Sequence, residues 1–225
     1  MAERKLTPRG EFDKALAEHA GRFGVELGED ARTLLGDYFE LVATWNPRLH
    51  LVAPCAPAEF ATRHVLESLT ALPYLPVGAS LLDVGSGAGL PAIPCLVVRP
   101  DLKAVLVEAS QKKSVFLREA LSRLGLSARA SVVAERFEKV ELPAADRLTC
   151  RAIERFTEIL PILISWAARV PTLLLFGGES LREVLERERL SFETVQVPES
   201  ERRYLFIVRR ENSERHARTA KGHPR

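Results

Sequence analysis

The chain has 225 residues, of which 46% are hydrophobic and 28% charged; this composition excludes a disordered chain and predicts one globular domain with a small extension. Its three cysteines lack paired spacing, which argues against a disulfide framework or a zinc site, so we expect no metal and a reducing compartment. The net charge is only +2, but residues 201–225 contain eight basic and three acidic side chains, which suits either an anionic partner such as RNA or a solvated terminus.

The N-terminal third of the chain shows helical periodicity. Apolar residues mark one helix face over residues 12–19 and another over 34–42, and residues 58–72 form a third helical pattern. Pro47 predicts the end of the second helix, because the residue before a proline is pushed out of the α region. Together these helices predict an N-terminal helical extension, residues 1–78.

The most informative segment, residues 81–89, reads Leu-Leu-Asp-Val-Gly-Ser-Gly-Ala-Gly and predicts a buried strand that enters a glycine-rich turn. Glycines permit positive φ and let the backbone approach a ligand closely. Dinucleotide-binding turns read G-x-G-x-x-G, whereas D-x-G-x-G-x-G favours S-adenosylmethionine over NAD. Glu108 ends the next apolar run, where a carboxylate can accept hydrogen bonds from ribose hydroxyls. An ordinary strand, turn and helix is the alternative.

From residue 80 onward, predicted strands and helices alternate. The strands lie near residues 80–84, 103–108, 129–134, 147–150, 172–176, 191–197 and 203–209, and the helices near 90–98, 112–124, 153–168 and 179–189. This order predicts an α/β fold with a doubly wound, mostly parallel seven-stranded sheet. The last two strands have no helix between them and predict an antiparallel ending, typical of class I S-adenosylmethionine-dependent methyltransferases. The core then covers residues 79–210, and residues 211–225 form a basic tail.

One apolar segment, residues 159–176, is about long enough to cross a bilayer. It contains Pro161, Arg169 and Pro171, so we expect a helix followed by a buried strand rather than a membrane span. The first nine residues are charged and lack the apolar region of a signal peptide. We therefore expect a cytoplasmic protein with no membrane partner.

Several motifs together are similar to those of one known family. They are Trp45-Asn46, Arg63-His64-Val65-Leu66-Glu67-Ser68-Leu69, the segment 82–91, Ile93-Pro94, Arg99-Pro100, Lys112-Lys113 and Arg151-Ala152. Over residues 34–210 the chain resembles the bacterial 16S ribosomal RNA guanine-N7 methyltransferase family, small-subunit methyltransferase G, also known as glucose-inhibited division protein B. The combination of the Arg-His-x-x-x-Ser-Leu segment with the glycine turn carries this resemblance, since the turn alone would indicate only the cofactor.

The resemblance implies S-adenosyl-L-methionine as the cofactor and 16S rRNA or the small ribosomal subunit as the partner. With the glycine turn, it implies cofactor-binding roles for Asp83, Gly85, Gly87, Leu90, Glu108, Ala109, Phe137, Glu138 and Arg151. Phe137 is expected beside the adenine, and Arg151, at the carboxyl end of a strand, can hold the cofactor carboxylate or an RNA phosphate. Taken alone, Phe137 would be a core residue and Arg151 part of a surface ion pair.

The implied reaction needs no general base, because guanine N7 carries a lone pair and no hydrogen. Positioning and charge stabilisation would supply the catalysis. Arg151 and His64 are the candidates for a catalytic role, and His64 is the only histidine expected near the site; a hydrogen-bonded helix histidine is its alternative role. A small-molecule methyltransferase and a non-catalytic ribosome-assembly factor that binds the cofactor remain alternative functions.

Three positions depart from the family pattern. Phe176 stands where the family usually has lysine, His50 where it has asparagine, and Val52 where it has threonine. These differences leave the cofactor residues untouched and bear on RNA affinity or the choice of target. Cys150 lies where cytosine-C5 methyltransferases carry their nucleophile, but Thr149 rather than proline precedes it, so we expect a small packing residue.

Overall fold

The computed structural model describes residues 6–151 and 156–210 of the chain. The predicted basic tail, residues 211–225, and the start of the helix predicted over 153–168 lie outside these ranges. None of the described helices is both long and apolar enough to cross a membrane.

A layer of helices precedes the sheet. The helices are α1 (Pro8–His19), α2 (Glu29–Leu49), α3 (Pro57–Phe60) and α4 (Glu67–Leu69), with a π-helical turn over Ala61–Leu66 between the last two. Phe12 of α1 stacks on Phe39 of α2 with ring centroids 4.8 Å apart, and Phe60 packs against Phe39 at 5.5 Å. These buried rings hold the three helices together.

The prediction that Pro47 ends the second helix was wrong. Helix α2 continues to Leu49 and ends where His50 adopts a left-handed conformation with φ 49°. A proline inside a helix removes one backbone donor, here toward the carbonyl of Ala43. Pro47 and Ala43 both lie on the exposed side of the helix, where water can satisfy that carbonyl, so the helix tolerates the interruption.

Seven strands form one sheet in the order β3-β2-β1-β4-β5-β7-β6. The strands are β1 (Ser80–Val84), β2 (Lys103–Val107), β3 (Ala130–Val133), β4 (Arg147–Arg151), β5 (Thr172–Gly177), β6 (Phe192–Gln196) and β7 (Tyr204–Arg209). The first five are parallel, and β7 is antiparallel to both β5 and β6. This confirms the predicted doubly wound sheet with its antiparallel ending.

Helices cover both faces of the sheet, which is why its central strands read as continuous apolar runs. The helical layer packs on one face with α5 (Ala92–Val98) and α6 (Gln111–Arg123). The other face packs against α7 (Phe156–Trp166) and α8 (Glu179–Arg187). The register pairs Val84 with Val107 and with Cys150, so the carboxyl ends of β1, β2 and β4 lie side by side.

Candidate cofactor site

A cavity of about 700 Å³ opens at the carboxyl ends of β1, β2 and β4. Open α/β sheets place their ligands at this edge. The helical layer contributes one wall of the cavity through residues 50–54 and His64. The predicted cofactor residues that line it are Gly85, Gly87, Leu90, Glu108, Ala109, Phe137, Glu138 and Arg151. Asp83 instead lies fully buried at the end of β1, outside the lining of the cavity.

The glycine turn follows β1 and requires its glycines. Gly85, Gly87 and Gly89 have φ of 70°, 54° and 88°, a region that other residues enter only at a cost. A Cβ on Gly89 would lie 2.4 Å from Cδ1 of Ile93, so the third glycine also permits close packing of the following helix. These positions fix the turn in a shape that exposes its backbone to the cavity.

Glu108, directly after β2, joins the glycine turn to the next helix. Its Oε2 accepts a hydrogen bond of 2.8 Å from the backbone N–H of Gly87, and its Oε1 accepts one of 2.8 Å from the N–H of Ser110. The residue is only 8% exposed. Each carboxylate oxygen has a second lone pair, so Glu108 can still accept hydrogen bonds from ribose hydroxyls.

Asp83 is a buried carboxyl group with half of its hydrogen-bonding capacity unused. Its Oδ1 accepts a 2.6 Å hydrogen bond from the hydroxyl of Thr149, and its Oδ2 has no partner among the described residues. Burial raises the pKa of Asp83 from 3.8 to about 7, and the charge of Glu108 acts in the same direction. This oxygen lies directly before the glycine turn, and a positive charge in the adjacent cavity would favour the ionised form of the carboxyl group.

Arg151 ties the carboxyl end of β4 to the helical layer. Its guanidinium donates hydrogen bonds to the carbonyls of Arg63 (2.7 Å) and His64 (3.3 Å) and to the hydroxyl of Ser68 (3.3 Å). It also lies 3.3 Å from a carboxylate oxygen of Glu67, whose side chain is 5% exposed. The structure therefore shows Arg151 holding the segment that carries His64, a contact that the sequence did not indicate.

His64 is held as a neutral imidazole. Nη2 of Arg151 lies 3.2 Å from its Nδ1, and a guanidinium can only donate, so Nδ1 accepts and the ring hydrogen is on Nε2. Burial, followed by the charges of Arg151, Arg63 and Arg203, lowers the pKa of His64 to about 3. The other oxygen of Glu67 lies 2.9 Å from Nη1 of Arg203, so the buried Glu67 links Arg151 to the partly exposed Arg203.

The expectation that His64 is the only histidine near the site was wrong, because His50 also lines the cavity. His50 begins the loop that follows α2, and Oδ1 of Asn46 anchors this loop by accepting a 3.0 Å hydrogen bond from the N–H of Val52. The loop lacks hydrophobic periodicity, and only the departures noted at His50 and Val52 pointed to it.

The remaining sequence candidates lie in the core. Phe176 is 3% exposed within β5, so this position supplies packing rather than a cation. Cys150 is fully buried on β4, and burial raises the pKa of its thiol well above the ordinary value. Among the described residues, no group of three or more histidine, cysteine or acidic side chains is arranged to hold a metal ion.

The sheet order, the glycine turn after β1, the carboxylate after β2 and the cavity between them define a class I S-adenosylmethionine-dependent methyltransferase. The chain belongs to the rRNA small subunit methyltransferase G family, whose model matches residues 31–210.

Curated relatives share much of the chain. Ribosomal RNA small subunit methyltransferase G of Sorangium cellulosum is 38% identical over 208 residues, covering 86% of this chain and 85% of its own. The protein of the same name from Anaeromyxobacter dehalogenans (strain 2CP-1) is 36% identical over 178 residues, covering 78% and 83%.

Solved structures agree with the fold. An O-methyltransferase from Bacillus cereus, in complex with SAH, superposes with a TM-score of 0.59 at 16% identity, covering 88% of this chain and all of its own. A SAM-dependent methyltransferase from Aquifex aeolicus gives a TM-score of 0.53 at 17% identity, covering 76% and 97%. At such identities the likeness concerns the fold alone.

Proposed function

We propose that the chain transfers the methyl group of S-adenosylmethionine to N7 of a guanine in the 16S rRNA of the small ribosomal subunit. The observation that carries this proposal is the match to the methyltransferase G family over residues 31–210, a span that includes both the glycine turn and the wall formed by the helical layer. The two named relatives carry the name ribosomal RNA small subunit methyltransferase G.

The order of strands supports one orientation of the cofactor. Phe137 and Glu138, which follow β3, suit the adenine, and Glu108, after β2, suits the ribose. The methionine part then extends over β1 toward β4, near the unpaired oxygen of Asp83. When bound, S-adenosylmethionine supplies an electrophilic methyl group on a sulfonium. The chain's own contribution is to orient this group and to exclude water around it.

The residues at the β4 end suit an acceptor that has no proton to lose. Arg151 remains charged, and Nδ1 of His64 is already occupied by a hydrogen bond from Arg151. Neither side chain is therefore placed to remove a proton. Guanine N7 attacks through its lone pair, so positioning is the main catalytic requirement. The Hoogsteen edge of a paired base lies in the deep RNA major groove, which favours an unpaired or extruded guanine.

Cations at the rim of the cavity suit a phosphate backbone. Lys113 and Arg136 line the cavity and Lys112 is exposed beside them at the start of α6. In the described part of the chain, neither lysine has an acidic partner within 4 Å, whereas Arg136 lies 3.3 Å from Glu138. When lysines without an acidic partner neutralise phosphates, counterions condensed on the RNA are released, which favours binding. These lysines therefore support RNA rather than a neutral small molecule as the substrate.

The test uses the purified chain, labelled S-adenosylmethionine and small ribosomal subunits that lack the modification. We expect label in 16S rRNA and 7-methylguanosine after digestion to nucleosides. Label in a small molecule but not in RNA would favour a small-molecule methyltransferase. Cofactor binding and subunit binding without transfer would favour an assembly factor. Either outcome would refute the proposed function.

A further inference from the structure

His64 presents an unused hydrogen-bond donor at the cavity. Its ring packs beside Phe60, with centroids 5.2 Å apart, and Arg151 fixes Nδ1. The hydrogen is therefore on Nε2, and no hydrogen bond joins Nε2 to any residue that the structure describes. A neutral N–H at the wall of a binding cavity is suited to an acceptor atom on the bound molecule.

His64 lies at the end of the cavity where the methyl acceptor must enter. The positions proposed for the adenine and ribose follow β3 and β2, which lie on the other side of β1 from β4. His64 is bonded to Arg151 at the end of β4, next to β1 in the sheet. Both His64 and Glu108 line the cavity, His64 on the side of β4 and Glu108 after β2.

Guanine and adenine differ in the exocyclic group on C6, which lies on the same edge of the base as N7. On this edge guanine offers the acceptors N7 and O6, whereas adenine offers N7 and the N6 amino donor. We propose that His64 is a specificity-determining residue whose Nε2–H donates a hydrogen bond to O6 of the target guanine while N7 takes the methyl group. This inference rests on the proposed function and adds the residue that selects the base.

The surroundings of His64 keep this donor neutral. The charges of Arg151, Arg63 and Arg203 act on it. The acidic partners of these arginines are already engaged, since Glu67 is shared between Arg151 and Arg203 and Glu59 pairs with Arg63. A neutral donor suits the reaction, because methylation at N7 leaves a positive charge on the purine. A protonated histidine at this place would repel that product and draw electron density from N7.

The experiment is a double-mutant cycle that combines substitution of His64 with removal of O6 from the target base. Small subunits are reconstituted on 16S RNA with either guanine or 2-aminopurine at the target; 2-aminopurine keeps N7 but lacks O6. Wild type, His64→Leu and His64→Gln are compared by kcat/KM, and cofactor affinity is measured by calorimetry. His19→Leu serves as the control, since His19 lies outside the cavity and pairs with Glu199.

We expect loss of O6 to lower kcat/KM of the wild type about 10- to 100-fold, the effect of leaving one donor unpaired. His64→Leu should lose a similar factor on guanine and almost nothing further on 2-aminopurine, because partners in one hydrogen bond are not additive. His64→Gln retains an N–H and should recover part of the preference for guanine. Cofactor affinity should stay within about 2-fold in the His64 variants, and His19→Leu should keep the preference.

Two results would overturn the inference. If the losses from His64→Leu and from 2-aminopurine multiply independently, O6 is not the partner of His64. If His64→Leu weakens cofactor binding as much as it lowers kcat/KM, the donor serves the cofactor instead. A wild type that forms no 7-methylguanosine on guanine-containing subunits would refute the proposed function itself, which separates the two failures.

Discussion

The hydroxyl of Tyr38 donates a 2.8 Å hydrogen bond to the carbonyl oxygen of Ala88, in the middle of the glycine turn. Tyr38 is fully buried on α2, and burial raises the pKa of its hydroxyl well above the ordinary value, so the group keeps its proton and remains a donor. Helix α2 thus fixes the backbone that the cofactor is expected to contact, which makes the helical layer part of the cofactor site.

Tyr38→Phe should weaken S-adenosylmethionine binding about 5-fold, because it leaves a buried carbonyl in the turn without its partner, a cost of about 1 kcal/mol. Calorimetry measures this change in Kd. Tyr74→Phe is the matched control, since the hydroxyl of Tyr74 bonds Glu193 at an exposed position outside the cavity. Equal affinities for wild type and Tyr38→Phe would show that the turn holds its shape without this bond.

Gly85→Val should abolish cofactor binding while the helical layer stays folded, because the side chain would occupy the space that the cofactor approaches. Gly125→Val provides the control: Gly125 has a similar φ of 69° in the turn after α6, but lies outside the cavity. Both variants carry backbone strain, so circular dichroism should report similar losses of stability. Unchanged cofactor affinity in a folded Gly85→Val protein would contradict the assignment of the turn.

The pH dependence of stability should reveal Asp83. Its folded pKa, about 7, lies above the unfolded value of 3.8, so the folded state binds the extra proton between these values. Its contribution to stability is therefore full below about pH 4 and is lost as the pH rises toward 7 and beyond. Asp83→Asn should remove this loss, on the order of 2–4 kcal/mol, so that the variant gains on the wild type between pH 5 and pH 8.

Urea unfolding at several pH values tests the prediction for Asp83. Parallel curves of unfolding free energy for wild type and Asp83→Asn would show that the carboxyl group is charged throughout. Cofactor affinity in the same variant addresses a separate point. We expect it to fall above about pH 7, where the buried carboxyl group carries a negative charge that the amide lacks.

Part of this site could be predicted from local sequence. Glycines at alternate positions and Glu108 at the end of an apolar run identify the turn and the carboxylate, because both depend on neighbours along the chain. The contacts of Arg151 with Arg63 and of Tyr38 with Ala88 join residues 88 and 50 positions apart, so no local pattern indicated them. The prediction that Pro47 ends the second helix failed because it depended on the surroundings of the helix. Solvent around α2 compensates for the donor that proline lacks.

Cys150→Ser and Arg151→Ala should have different effects on methyl transfer, because Cys150 is a packing residue and its neighbour Arg151 is a positioning residue. Cys150 is fully buried and lies outside the lining of the cavity, so serine should retain most of the methyl transfer. Arg151→Ala releases the carbonyls of Arg63 and His64 and leaves Glu67 with Arg203 alone, so we expect about 100-fold lower kcat/KM. Arg151→Lys keeps the charge without the planar set of donors and should recover only part of the activity.

Product analysis checks the pair of variants together with the wild type. A folded but inactive Cys150→Ser enzyme, or 5-methylcytosine among the nucleosides, would indicate covalent catalysis through the thiol. An Arg151→Ala variant with full activity would show that the tie between β4 and the helical layer is dispensable.

The most direct test of guanine-N7 methylation is chemical cleavage of the RNA product. Borohydride reduction followed by aniline breaks RNA at 7-methylguanosine, so 16S rRNA from treated small subunits should be cut at a guanine. The cut should require both the chain and S-adenosylmethionine, and it should disappear with Gly85→Val. Methyl label that enters the RNA without any such cleavage would place the modification on another atom and contradict the account.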